Sequence, residues 1–197
     1  MVDILTYYDQ HPINEHAVHE SLLREGKNLE HLVPEDLFPY DQDHYGGLDA
    51  VDALVRCASI GAGDRVLDVC SGLGGPARYL AHRHGCSVTG LDINRSRALT
   101  SRRLTRRVGL QNKVSFVCGN ATRMPFLNES FTRIVSQEAF LHVGNKVALF
   151  SNCHRVLITG GCFVFTDWVA SPRLSDPERA LLGEGMVAAE IHQESEY

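Results

Sequence analysis

Three short stretches of this 197-residue chain carry residue types that can do chemistry in concert. The first is a glycine loop, Asp68-Val69-Cys70-Ser71-Gly72-Leu73-Gly74-Gly75-Pro76-Ala77-Arg78. Glycines let a chain turn sharply and let its backbone approach a ligand, and a helix starting there aims free N–H groups at the site. The second is an acid, Asp92, twenty residues after Gly72. That is the spacing at which a carboxylate meets the two hydroxyls of a ribose in a βαβ unit that binds a dinucleotide. The plainer reading makes Asp92 the N-cap of the following helix, a role Asn94 can fill itself. The third stretch is Ser136-Gln137-Glu138-Ala139-Phe140-Leu141-His142, which sets an acid and an imidazole four residues apart. Imidazole titrates near neutrality and suits proton transfer. Elsewhere such a histidine is an ordinary surface or core residue about as often as a working one.

These stretches need a scaffold, and the pattern around them supplies one. Apolar runs at Arg65–Cys70, Cys86–Leu91, Lys113–Cys118, Phe131–Ser136 and Gly161–Trp168 read as strands. Helical patterns fall between them at Pro76–His84, Arg95–Val108 and Lys146–Leu157. The strands are near-continuous apolar runs, as burial on both faces of a parallel sheet requires, and their crossovers are expected to be right-handed. The reading is α/β, a Rossmann-like, doubly wound, mainly parallel sheet preceded by N-terminal helices at about Asn14–Gly26 and Leu48–Ser59. A loop from Val33 to Gly47 separates those helices. After Trp168, Asp176–Leu182 and Met186–Ile191 look helical. The expected division is a helical cap over 1–60, a ligand-binding core over 61–170, and a partial lid or truncated tail over 171–197.

Composition narrows the function classes. With 19 Lys and Arg against 24 Asp and Glu, the net charge is −5, which argues against non-specific nucleic-acid binding. Arg102, Arg103, Arg106 and Arg107 read as a solvated helix face. No apolar run approaches a membrane span, and Met1–Gln10 lacks the basic and apolar regions of a signal peptide. A cytoplasmic protein is expected. No two of the six cysteines are spaced C-x-x-C, so no metal site is expected.

Taken together, the ordered motifs resemble those of class I S-adenosylmethionine-dependent methyltransferases over roughly residues 44–168. Val66–Ala81 resembles that family's first motif, with Asp68 as the acid inside the strand. Asn120-Ala121 resembles its Asp-Ala pair that meets the adenine, with Asn in place of Asp. Met124-Pro125-Phe126 resembles Leu-Pro-Phe, and Arg155–Gly161 resembles R-V-L-K-P-G-G. The resemblance implies S-adenosyl-L-methionine as cofactor. It implies contacts to that cofactor from Asp68, Ser71, Gly72, Gly74 and Gly75, from Asp92 and its neighbour Ile93, and from Asn120, Ala121 and Gln137. Residues 136–142 are similar to the S-Q-D-A-x-L-H segment of sarcosine/dimethylglycine N-methyltransferases and to a stretch in phosphoethanolamine N-methyltransferases. His44–Ala50 resembles the G-G-L-x-A segment of the same enzymes.

The implied activity is methyl transfer to a small molecule, an amine nitrogen first, in which the protein chiefly positions the reactants. His142 then accepts the proton, Tyr45 hydrogen-bonds the nucleophile or offers its ring to the charge, and Glu138 holds a cationic amine or the amino end of the sulfonium cofactor. Packing against the glycine loop is a near-equal reading for Tyr45. The pair Tyr7-Tyr8 either closes over the cofactor or staples the first helix. A carbon or oxygen acceptor, as in a quinone or sterol, is the alternative. Another is a truncated domain that holds cofactor without turnover. An NAD(P) oxidoreductase is the weakest reading. The two antiparallel strands that usually follow strand five in this family have no counterpart here. Strand five is therefore expected to form an open edge, a hazard unless it is covered, for instance by self-pairing into a homodimer.

Overall fold

The computed structural model describes residues 3–170, 175–188 and 191–196. Five parallel strands form one sheet in the order β3-β2-β1-β4-β5. They are β1 (Arg65–Val69), β2 (Ser87–Asp92), β3 (Val114–Cys118), β4 (Phe131–Gln137) and β5 (Leu157–Thr166). Four helices precede the sheet: α1 (Ile4–Asp9), α2 (Glu15–Arg24), α3 (Pro34–Leu37) and α4 (Gly47–Ala58). The crossovers carry α5 (Gly75–His84), α6 (Arg95–Arg107) and α7 (Lys146–Val156), and α8 (Asp176–Met186) follows β5.

The strand residues alternate between two separate cores. Val66, Val88, Val114 and Val135 pack with Val51, Leu54, Val55 and Ala58 of α4 and with Ala77, Leu80 and Ala81 of α5. Leu67, Val69, Leu91 and Ile134 pack on the other face with Leu149, Cys153 and Val156 of α7. Apolar side chains therefore fill most strand positions, which explains the near-continuous runs in the sequence. A third cluster seats Val18 and Leu22 of α2 and Leu37 of α3 on Leu104 of α6 and the nearby Val108.

The fold matches the expected class, with corrections at its margins. β5 begins at Leu157, where α7 passes directly into the strand, and ends at Thr166. The helix α1 and the short α3 were not anticipated. A single helix, α8, replaces the first of the two expected at the C-terminus. It stops where Val187 takes φ 51°, in the left-handed region. Val187, Ala188 and Ile191 are non-helical, which removes the second; residues 189 and 190 lie outside the described residues. Among the described residues no strand follows β5, and β5 is an outer strand of the sheet. No described helix is long and apolar enough to cross a membrane.

The strand order reverses between β1 and β4. In open parallel sheets that switch point, at the carboxyl ends of the strands, is where a crevice opens.

Candidate functional site

A cavity of about 230 Å³ lies at that switch point. Its walls come from the carboxyl ends of four strands: Asp68 and Cys70 at the end of β1, Leu91 and Asp92 at the end of β2, Gly119 and Asn120 just after β3, Gln137 and Glu138 at the end of β4. Ten of the residues singled out in the sequence line it: Asp68, Ser71, Gly72, Asp92, Ile93, Asn120, Ala121, Gln137, Glu138 and His142. Gly74, Gly75 and Tyr45 do not. Gly74 takes φ 78°, and a Cβ there would sit 2.3 Å from the ring of Phe116; a Cβ on Gly75 would sit 2.2 Å from the Asp41 carbonyl oxygen. Both glycines make room for protein. The Tyr45 ring is 72% exposed and stands edge-on to Trp168, with centroids 5.4 Å apart. Its backbone N–H, rather than its hydroxyl, reaches the site by donating to Glu138 Oε1 at 2.9 Å.

The glycine loop is held from below by Asp92. One oxygen accepts from Gly72 N–H and the other from Asn94 N–H, both at 2.8 Å. Asn94, not Asp92, is the N-cap of α6, its side-chain oxygen accepting from Arg97 N–H at 3.0 Å. A carboxylate oxygen accepts more than one hydrogen bond, so Asp92 keeps capacity toward the cavity. Burial pushes its carboxyl above the ordinary range, against the pull of those N–H donors and Arg97.

Asp68 lies deeper and has no such support. Burial, and then the nearby Asp92 charge, push its carboxyl up from 3.8 to about 8. Its Oδ2, the hydroxyl of Ser71 and the amide oxygen of Gln137 are all buried without a hydrogen-bond partner. Buried polar atoms are rarely left so; three on one cavity wall mark a place for a polar ligand. Asn120 turns its side-chain oxygen inward to Thr122, accepting from its N–H and its hydroxyl at 2.8 Å each.

His142, also in the cavity lining, sits in a short 3₁₀ turn, Phe140–His142. Its Nδ1 lies 3.2 Å from the Val187 carbonyl oxygen, which only accepts, so Nδ1 carries the hydrogen. In the neutral ring Nε2 is then an acceptor, and the Tyr8 hydroxyl 3.0 Å away donates to it. Burial lowers the His142 pKa below 6.5, so the ring is neutral at pH 7. The Tyr8 hydroxyl is pushed up in turn, chiefly by burial and then by Asp43, and stays protonated. Glu138 adopts φ 51°, in the left-handed region, a strain of the kind that gathers at working sites.

Sequence reasoning missed part of this lining. Tyr8 was recognised only as half of a pair that closes over the site or staples a helix; it lines the cavity and meets His142. Arg97 also lines the cavity, its guanidinium 4.8 Å from the Tyr8 ring centroid and ion-paired with Asp43. No local pattern marks Arg97 or Asp43, because their partners are dozens of residues away.

Comparison with known proteins places this geometry. Residues 67–165 match the family model described as a methyltransferase domain. The chain belongs to that family. It is 38% identical to the sarcosine/dimethylglycine N-methyltransferase of Aphanothece halophytica over 136 residues, 68% of this chain and 47% of that protein. It is 37% identical to the sterol 24-C-methyltransferase of Eremothecium gossypii over 116 residues, 59% of this chain and 31% of that one. The chain thus spans between about a third and a half of the length of these curated relatives. The fold is shared with the Haemonchus contortus phosphoethanolamine N-methyltransferase 2 solved with S-adenosyl-L-methionine. There the TM-score is 0.77 at 20% identity, covering 100% of this chain and 42% of that one.

Proposed function

We propose that the chain carries out methyl transfer from S-adenosyl-L-methionine to a small-molecule amine. The observation that carries this reading is one cavity whose lining holds two kinds of chemistry. Two buried carboxylates flank a glycine loop. A neutral histidine in the same lining is held as a hydrogen-bond acceptor for Tyr8.

The residues present fit the cofactor. Asp92 would take ribose hydroxyls with its remaining acceptor capacity. Asp68, whose Oδ2 is buried and unpartnered, would receive the ammonium, and Ser71 and Gln137 have polar atoms waiting for partners. Asn120 and Ala121 would edge the adenine, with the Asn120 amide N–H₂ turned outward because its oxygen is held by Thr122. When bound, the cofactor supplies an electrophilic methyl group on a sulfonium. The chain's own residues do the rest. They exclude water, set the acceptor in line, and take up the proton that an ammonium must lose to become a nucleophile. His142 Nε2 is the final acceptor for that proton, reached through Tyr8: the amine's proton passes to the Tyr8 oxygen as the Tyr8 proton passes to Nε2, and the Glu138 carboxylate attracts the cationic amine before it is deprotonated.

The relatives support the transfer reaction and divide on the acceptor, since one is named for nitrogen and the other for a sterol carbon. The neutral, partly walled-in base favours nitrogen. The test is turnover of labelled S-adenosylmethionine against amines, phenols, quinones and sterols. Label in amine products alone is the expected result. Label in quinones or sterols alone moves the acceptor to oxygen or carbon, and tight cofactor binding with no labelled product in any class makes the chain a cofactor-holding domain.

A further inference from the structure

The helix α1 is six residues long and contributes no fully buried side chain. A helix of that length is not stable alone, and with its apolar side chains only partly buried little hydrophobic drive holds it down. Yet Ile4, Leu5 and Tyr8 of α1 form one wall of the cavity. Beyond the contacts of its tyrosines with His142, what seats α1 is polar and comes from the first turn of α6.

Asn94 divides its side chain between two tasks. Its oxygen caps α6, and its amide nitrogen donates to α1, to Asp9 Oδ1 at 2.9 Å and the Leu5 carbonyl at 3.3 Å. Its backbone N–H is the one that Asp92 accepts. Three residues on, the Arg97 guanidinium lies under the Tyr8 ring at 4.8 Å, pairs with Asp43, and donates from Nη1 to the Ile13 carbonyl at 3.5 Å. Its far side faces the glycine loop, since a Cβ on Gly72 would come within 3.2 Å of Nη2. Gly72 is the other residue whose N–H Asp92 holds. The Asp92 carboxylate is therefore bonded to Asn94, on which α1 rests, and to the glycine loop that the Arg97 guanidinium faces.

We propose that Asn94 and Arg97 are positioning residues: they tie α1 to the Asp92 end of the cavity, so that a ligand bound to Asp92 also fixes Tyr8 against His142. The coupling rests on the cofactor reading given above; the tether itself does not. The result is an order of events, with cofactor seated first and the base and its tyrosine set in place as a consequence.

The test is hydrogen exchange across residues 4–9, read by mass spectrometry on the whole chain with and without S-adenosylhomocysteine. Asn94→Ser keeps a good N-cap for α6 but is too short to reach α1. Arg97→Met keeps the apolar stem and removes the charge, and Arg97→Lys restores the charge without the planar fork. Without ligand, Asn94→Ser and Arg97→Met should raise α1 exchange on the order of tenfold, with Arg97→Lys between them and wild type and the thermal midpoint of Asn94→Ser nearly unchanged. Wild-type exchange in both variants, or loss of protection throughout the fold, would overturn the tether. With ligand, wild type should gain protection at residues 71–75 and at α1 together, and Asn94→Ser at 71–75 alone. Equal gain at α1 in Asn94→Ser overturns the coupling. Absence of any gain at 71–75 in wild type counts against the cofactor reading instead, and the ligand-free comparison still decides the tether. In turnover, Asn94→Ser should lower kcat while the cofactor KM stays within a few-fold, a split that general destabilisation does not produce.

Discussion

Replacing Asp68 by Asn should change both how the cavity binds a cation and how the protein's stability depends on pH. With its carboxyl pushed to about 8, roughly nine in ten molecules carry a proton on Asp68 at pH 7 before a ligand enters. A ligand ammonium at Oδ2 favours the carboxylate, so binding must expel that proton, close to one per site. Isothermal calorimetry at pH 7 in phosphate and in Tris reads the number directly, because buffers of different ionisation enthalpy add different heats per proton taken up. Below the titration of the ligand's own amino group, affinity should climb by roughly tenfold per pH unit between about pH 5.5 and about pH 7. The native state holds the Asp68 proton more tightly than the unfolded chain does, so between the ordinary 3.8 and about 8 the native state binds more protons. Wild-type stability without ligand therefore falls as pH rises through that window. Asp68→Asn should flatten the fall, abolish the buffer dependence of the binding heat, and weaken binding of S-adenosylmethionine. Heats that agree in both buffers for wild type, or a variant that binds as tightly as wild type, would refute the reasoning.

Four further outcomes are expected. His142→Ala should lower turnover by about 10²–10⁴-fold while cofactor affinity, measured by calorimetry, stays within a few-fold; a large loss of affinity would place His142 against the cofactor. Because burial lowers the His142 pKa, the native state resists protonation, and His142 subtracts stability as pH falls below 6.5; thermal midpoints of His142→Ala should be less sensitive to acid than those of wild type. Asp92→Asn should cost roughly 1–3 kcal/mol of cofactor binding, and Asp92→Ala should also lower the thermal midpoint, since it strips the acceptor from both Gly72 and Asn94. Cys70 sits at φ 61°, so Cys70→Val should destabilise by about 1–3 kcal/mol in denaturant melts, while Cys70→Gly should be tolerated.

The parallel sheet was legible because β1, β2 and β4 are covered on both faces and announce themselves by composition. Asp92 and the glycine loop were legible for a related reason: their spacing is set by one βαβ unit, so sequence distance stands in for spatial distance. The boundary of β5 was not, because Leu157 and Ile158 belong equally well to the end of an apolar helix, and only the pairing of Leu157 with Phe131 assigns that residue to the sheet. α1 was invisible for a stronger reason. Its residues show no apolar stripe, since none is fully buried, and its polar ties are an Asp3 cap and a bond to Asp9 from Asn94, 85 residues downstream. The two tyrosines make the contrast sharpest. Tyr45 was favoured because it belongs to a recognisable segment, and the fold turns its ring outward. Tyr8 belongs to no segment, and the fold brings it across 134 residues of chain to His142.

That contact also explains how a buried histidine can take up a proton without a second buried charge to receive it. Protonation gives Nε2 a hydrogen, and a fixed donor opposite would then be repelled. The partner is a hydroxyl, which donates or accepts according to the rotation of its O–H bond. Tyr8 donates to neutral His142; when its proton passes to Nε2 and the amine's proton replaces it on the hydroxyl, the same oxygen accepts from the imidazolium, while Nδ1–H keeps the Val187 carbonyl throughout. Tyr8→Phe removes this exchange but leaves the ring over Arg97. It should therefore slow turnover through the proton step alone, with α1 protection and cofactor affinity close to wild type. A variant that instead loses cofactor affinity and α1 protection together would show that the hydroxyl holds the wall in place and has no part in the proton's transfer.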